Sequence, residues 1–263
     1  LKISKNSRSI FFKCRFQVAL TFFVFKNKLV IFTSDTFHHR YFINQISSKG
    51  FQIDCIFFET KSATADFKIG PLFEEKEDKF EKDNFFKSTS FDIKCKKKIH
   101  IDNINDIKVL EKIKEIKPSI GIVFGTGKIK EGISDFFKGN LFNVHRGIPQ
   151  RYRGLDSDLW AIYHNDYKSI GTTVHRVDDV LDSGDFVYQK NMELKTGMKI
   201  HQIRYYTTLI ASELSLLVLD DFYNDKLVLH KQQSIGRYYS FMPYDLKVKV
   251  EKKFNSYCKK IHV

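Results

Sequence analysis

Two short stretches limit the fold more than anything else in the chain. Leu29-Val-Ile-Phe-Thr33 and Ser119-Ile-Gly-Ile-Val-Phe124 are continuous apolar runs of strand length. A strand with one wet face alternates apolar and polar residues, so an unbroken run belongs to a strand covered on both sides, the habit of parallel sheets. Residues 36–48 read as a helix stopped by Gly50, and Phe51–Glu59 as a second strand. Such a strand-helix-strand unit is expected to cross over right-handed. Ile107, Leu110, Ile113 and Ile116 recur every three residues, marking an amphipathic helix that Pro118 ends. Thr172–Val177 and Phe186–Leu194 read as paired strands, and Met198–Leu219 as a long helix that covers the sheet. The expected fold class is α/β: a mostly parallel, twisted sheet with helices on both faces, from about residue 28 to 220.

The chemistry gathers between Leu141 and Gln189. Asn143 and His145 are two apart on one strand and so share a face. Asp182 follows thirty-seven positions after His145, room for a helix and a returning strand. One turn, Leu181-Asp182-Ser-Gly184, can then bring an amide, an imidazole and a carboxylate together. That trio suits acyl transfer, with an amide to meet an oxyanion, a base for a proton and an acid to orient the base. Upstream, Phe124 runs into Gly125-Thr126-Gly127-Lys128-Ile129, where two glycines allow close backbone approach to a ligand. The loop after the first strand, Thr33-Ser34-Asp35-Thr36 and then His38-His39-Arg40, reads as a polar rim rather than a Gly-rich phosphate cradle, and two adjacent His cannot face one metal from a regular helix.

The order and spacing of Asn143-Val-His145, Gly147-Ile148-Pro149, Arg153-Gly154, Gly171-Thr-Thr-Val-His175 and Leu181-Asp182-Ser-Gly184-Asp185 resemble the folate-dependent formyltransferase family. The resemblance is specific over 119–194, fainter over 28–118 and 195–220, and absent before about Asn27. It implies a Rossmann-like formyltransferase fold with a short C-terminal extension, 10-formyltetrahydrofolate as formyl donor and a primary amine as acceptor. It also implies roles. Asn143, His145 and Asp182 would be catalytic. Phe124, Gly125, Thr126, Gly127, Ile129, Gly147, Ile148 and Pro149 would border the donor. Ser34, Asp35, Arg146, Arg153 and His175 would meet the acceptor. Arg146 stands where many relatives have Pro or Gly; it touches an acidic group of acceptor or folate, or makes a rim salt bridge. His175 packs, hydrogen-bonds or touches ligand. The family's tRNA-dependent members carry a sizeable C-terminal domain and its glycinamide-ribotide members a Gly-rich loop after the first strand. What remains is most like the sugar N-formyltransferases, so the acceptor implied is a nucleotide-linked amino sugar. The alternatives are a methionyl-tRNA formyltransferase-like enzyme and a non-catalytic folate- or nucleotide-binding protein.

Length, charge and cysteines bound the rest. At 263 residues the chain holds one sizeable domain, 28–220, with an appendix at 221–263. In that appendix Leu227–Tyr239 suggests a hairpin or loop and 245–260 a basic helix. Residues 1–27 read as an extension of uncertain structure: the apolar run Phe16–Phe25 is too short for a membrane span, which needs about twenty residues, and no clear cleavage site for a signal peptide follows. The net charge of +13 suits anionic partners, though a background rich in Lys, Ile and Asn gives the same excess. Cys14, Cys55, Cys95 and Cys258 are spaced neither as metal ligands nor as a redox pair, so they read as reduced thiols of a cytoplasmic protein. Neither a metal, a membrane nor a nucleic acid partner is expected, and a homodimer is compatible.

Overall fold

The computed structural model describes residues 27–61, 64–87 and 92–261; the apolar run Phe16–Phe25 and Cys14 lie outside them. The elements follow as β1 (Leu29–Thr33), α1 (Phe37–Ser48), β2 (Ile53–Glu59), α2 (Glu74–Phe85), β3 (Lys98–Ile101), α3 (Ile107–Ile116), β4 (Ile120–Phe124) and α4 (Glu131–Ser134). Then come β5 (Leu141–His145), β6 (Tyr152–Gly154), α5 (Ser157–Tyr163), β7 (Gly171–Arg176), β8 (Phe186–Asn191), α6 (Ile203–Tyr223), β9 (Arg237–Tyr239) and α7 (Tyr244–Lys259).

Seven strands form one sheet in the order β3-β2-β1-β4-β5-β7-β8. The first five are mutually parallel, β7 runs antiparallel to β5, and β8, antiparallel to β7, returns to the direction of the others. The continuous apolar runs have the expected cause. Every residue of β1 and β4 is buried. Leu29 and Ile31 pack with Phe42, Ile43 and Ile46 of α1 and with α6. Val30 and Phe32 pack on the opposite face with Val109 and Ile113 of α3. Alternate residues thus point into two separate cores, and neither face can tolerate polarity.

Some elements depart from the reading of the sequence. In α3, Ile107 is 63% exposed while Val109 and Ile113 are buried: a strict three-residue repeat drifts off the 3.6-residue face, and the inward side falls elsewhere. Asp106 caps this helix by accepting from the Lys108 N–H at 2.9 Å. Helix α5 has no side-chain cap: Asp156 before it is left-handed, and its carboxylate accepts from the Met242 N–H. The C-terminal stretch makes no hairpin with itself; β9 pairs in parallel with β6 as a two-stranded sheet. Helix α7 packs on α5, and its Val250, Phe254 and Cys258 join the larger core. Cys55, Cys95 and Cys258 are free thiols. Among the described residues no helix is long and apolar enough to cross a membrane.

The charge-dense helix α2 exposes Glu75, Lys76, Asp78, Lys79, Lys82 and Asp83 to solvent but turns two of its carboxylates inward. Its Glu81 is fully buried, Glu77 nearly so, and Arg204 of α6 reaches Glu77 at 3.0 Å, Asp78 at 2.5 Å and Glu81 at 2.6 Å. Burial opposes the charge on Arg204, but its carboxylate partners outweigh burial and hold the guanidinium above its ordinary value. Removing Arg204 strands Glu77 and Glu81 in a low-dielectric site. Arg204→Met should therefore lose about 3–5 kcal/mol of stability, read from urea unfolding; a loss below about 1 kcal/mol would mean the carboxylates reach water or protonate freely.

Candidate active site

In a wound α/β sheet, ligands sit beyond the carboxyl ends of the strands. Here the ends of β1, β4 and β5 open onto a cavity of about 500 Å³. Ser34 follows β1, Phe124 ends β4 with Gly125 to Ile129 after it, and Asn143 to His145 end β5 with Arg146 just beyond; all of these line it. The wall is closed by Asp182 and by Tyr238 and Phe241 from the C-terminal segment.

Alternation along β5 puts Asn143 and His145 on one side, and the antiparallel register sets His175 of β7 directly across from Asn143. Asp182 arrives from the loop between β7 and β8. Its φ of 56° is left-handed, uncommon for a residue with a side chain and worth a cost only where the surroundings enforce it. Gly184 makes the loop possible, because a Cβ there would run into the carbonyl of Arg176. The carboxylate of Asp182 is 5% exposed. It accepts from the Gly154 N–H at 2.8 Å and from Asn143 Nδ2 at 3.2 Å. His145 Nδ1 stands 3.5 Å from Oδ2, and His175 Nε2 3.4 Å from Oδ1.

Those neighbours set the protonation states. Burial favours the protonated acid at Asp182, but the charge of His145 once protonated, the contact with His175 and the Gly154 N–H outweigh it and hold the carboxyl well below the usual range. Burial pushes His145 below its ordinary value, with Asp182 pulling the other way. At neutral pH the pair is a carboxylate and a neutral imidazole. The tautomer follows from hydrogen bonding. His145 Nε2 faces the carbonyl of Tyr152 at 3.1 Å and so carries the hydrogen, leaving Nδ1, on the Asp182 side, as the basic nitrogen. By the same reasoning His175 donates from Nδ1 to the Arg176 carbonyl at 2.8 Å and accepts at Nε2 from Asn143.

The β4 loop is seated from below. Gly125 has φ 79°, and a Cβ on it would overlap the ring of His39. The Gly127 N–H donates to Glu59 Oε2 at 2.7 Å, while Oε1 of the same carboxylate accepts from Ile104 N–H at 2.8 Å. His38 and His39, expected at a polar rim, are instead buried, their ring centroids 4.0 Å apart and both Nδ1 atoms on the Thr36 hydroxyl.

Of the residues singled out in the sequence, Ser34, Phe124, Gly125, Thr126, Gly127, Ile129, Asn143, His145, Arg146, His175 and Asp182 line the one cavity. Five others do not. Gly147, Ile148 and Pro149 form a turn beside it whose carbonyls accept from Thr173 Oγ1, from the Arg151 and Tyr152 N–H groups and from the Gly236 N–H. Asp35 is held by two bonds from Arg40, at 2.6 and 2.9 Å. Arg153 spends its guanidinium on the carbonyls of Gly236 and Leu181. The reading of the sequence missed Glu59, Lys61, Lys128, Tyr238 and Phe241 in the lining. An acid ending an apolar strand was a usable signal for Glu59; Tyr238 and Phe241 arrive only through the β6–β9 pairing, which no local pattern announces.

With that geometry in view, comparison with known proteins is specific. The family model described as formyl transferase matches residues 28–215. A methionyl-tRNA formyltransferase of Finegoldia magna is 28% identical over 121 residues, 46% of this chain and 39% of that protein. The chain spans less than half the length of such curated relatives. Among solved structures, glycinamide ribonucleotide transformylase 1 of Symbiobacterium toebii superposes with TM-score 0.59 at 14% identity, over 83% of this chain and 98% of that one. The formyltransferase PseJ of Anoxybacillus kamchatkensis, solved with UDP-4,6-dideoxy-4-formamido-L-AltNAc and tetrahydrofolate, superposes with TM-score 0.50 at 14% identity, over 81% and 86%.

Proposed function

The chain belongs to the formyl transferase family, and from that premise we propose that it moves a formyl group from 10-formyltetrahydrofolate to the primary amine of a nucleotide-linked amino sugar. The observation that carries the reading is the convergence of Asn143, His145 and Asp182 on one cavity that the Gly125–Ile129 loop also lines. The donor's ring system would lie against that loop, whose backbone is held by Glu59 and His39. The acceptor would enter from the side of Tyr238, Phe241 and Arg146.

The chemistry assigns work to each group. The neutral amine attacks the formyl carbon, giving a tetrahedral oxyanion and a cationic nitrogen; the carbon–nitrogen bond to folate then breaks as the proton leaves. His145 Nδ1 takes that proton and returns it to the folate nitrogen as the bond to it breaks, so tetrahydrofolate leaves as a neutral amine; the Asp182 carboxylate, 3.5 Å away, stabilises the imidazolium in between. Both hydrogens of the Asn143 amide are engaged at 3.2 Å, one toward Asp182 and one toward His175. An oxyanion is a stronger acceptor than an imidazole lone pair, so the second hydrogen turns to it as charge develops.

The acceptor class is supported by a structural neighbour that holds a formamido sugar nucleotide and by the aromatic wall beside basic Lys61, Lys128 and Arg146. A second reading, charged initiator tRNA as acceptor, draws on the curated relatives. The two separate in one experiment: incubation with 10-formyltetrahydrofolate and a panel of amino-sugar nucleotides beside methionyl-tRNA. Formylation of a sugar amine is expected; formylation of the tRNA alone would reverse the choice.

A further inference from the structure

The segment from His230 to Tyr239 lies beyond the residues the family model matches, yet it is tied to the site at every step. His230 exchanges two backbone hydrogen bonds with Phe186 at the start of β8. Ser234 Oγ donates to the Gln150 carbonyl, and the Gly236 N–H to that of Pro149. Strand β9 then pairs with β6, whose Gly154 N–H is the closest donor to the Asp182 carboxylate. In the middle of this strap, Gln232 Nε2 donates to two backbone carbonyls, that of Asp182 at 3.0 Å and that of Gly184 at 2.8 Å. Two carbonyl oxygens fix the amide's orientation, since the flipped group would set its oxygen against both. The remaining Oε1 is buried without a hydrogen-bond partner.

A left-handed aspartate at the head of a loop holds its place only if its surroundings enforce it. Three kinds of bond do so here. Gly154 and Asn143 hold the side chain, and Arg153 holds the Leu181 carbonyl at 2.9 Å. The backbone of Asp182 itself is held by Gln232. We propose that Gln232 is a positioning residue for formyl transfer: its amide, bridging the carbonyls of Asp182 and Gly184, fixes the loop that sets the Asp182 carboxylate beside His145. The inference rests on the reading that Asp182 takes part in catalysis. It assigns the C-terminal strap, and not only the matched domain, to the catalytic machinery.

The test uses the whole chain and single-turnover rates for Gln232→Met, which keeps length and volume but loses the donor, for Gln232→Asn, whose amide is a methylene too short, for Asp182→Asn and for the double variant Asp182→Asn/Gln232→Met. Displacing a reacting group by about 1 Å costs on the order of a hundredfold. Gln232→Met and Gln232→Asn should each slow transfer by about ten- to a hundredfold, with tetrahydrofolate affinity within about twofold. In the Asp182→Asn background the further loss from Gln232→Met should vanish, because both changes remove one contribution. Additive losses would overturn the proposal, as would a near-native rate in both Gln232 variants. Failure of both variants to fold would also overturn it, in favour of a purely structural role. If Asp182→Asn itself kept near-native turnover, the catalytic reading would fall first, and the single-variant rates would show which of the two had failed.

Discussion

Replacing Asp182 by alanine should lower turnover by roughly 10²–10⁴-fold while tetrahydrofolate affinity stays within about twofold. The reason is the geometry of charge. In the ground state His145 is neutral, and a carboxylate 3.5 Å from its bare Nδ1 contributes nothing attractive. Once Nδ1 takes the proton from the attacking amine, the same carboxylate faces a cation in a buried site, and the interaction exists only then. Interactions confined to the transition state change turnover and leave ground-state binding alone. His145→Ala should lose turnover on the same scale, and Asn143→Ala about 10²–10³-fold through the lost oxyanion donor. Donor binding should track the Gly125–Ile129 loop instead. Steady-state kinetics beside folate titrations and circular dichroism make the check. Near-native turnover in any one variant removes that residue from the mechanism, and in all three removes the assignment to formyl transfer.

The parts of this site that could be read from the sequence share a property: their partners are fixed by local periodicity. Asn143 and His145 share a strand face whatever else the chain does, and the turn at Leu181–Gly184 announces itself through composition. The apolar runs at 29–33 and 119–124 likewise imply burial on both faces, and both faces are covered. What the sequence hid depends on distant pairing. Glu77, Glu81 and Arg204 look like surface charges on separate helices until α2 and α6 meet. Gln232 looks like loop polarity, and Tyr238 like a hairpin residue, until β9 docks on β6. His38 and His39 read as a rim because a polar loop precedes them; their burial follows from the Gly125 backbone resting on His39. Arg153 and the Gly147–Pro149 turn read as ligand contacts because they adjoin the motif, yet their polar groups are spent on scaffold carbonyls and N–H groups.

The buried histidines carry a consequence for the whole fold. His38, His39 and His145 are all pushed below their ordinary value, each mainly by burial, with Arg204 and Arg146 adding to it at His38 and His38 itself adding at His39. In the unfolded chain all three return to about 6.5. Below that pH the unfolded state binds more protons than the folded one, so stability falls as pH falls. The sign is that of a base with a depressed folded pKa: the contribution is present above about 6.5 and is lost from there down to the folded values. Each imidazole that stays neutral in the fold lowers stability by up to about 1.4 kcal/mol per pH unit, while Glu77, whose carboxyl burial raises to about 8, opposes the trend with a proton that it holds in the fold and gives up on unfolding. Asp182 does not share this window, because its carboxyl is held below the ordinary acid range and its loss begins only under about pH 4. Against a total stability of about 5–15 kcal/mol, the loss of stability should therefore begin below about pH 6.5, above the carboxylate range. Urea midpoints measured from pH 7.5 to 5 should fall, and unfolding near pH 5.5 should take up protons. His39→Gln should flatten the slope even if it lowers stability at pH 7. A midpoint level across that range would mean the imidazoles are already protonated in the fold, and His145 would then lack the lone pair the transfer needs.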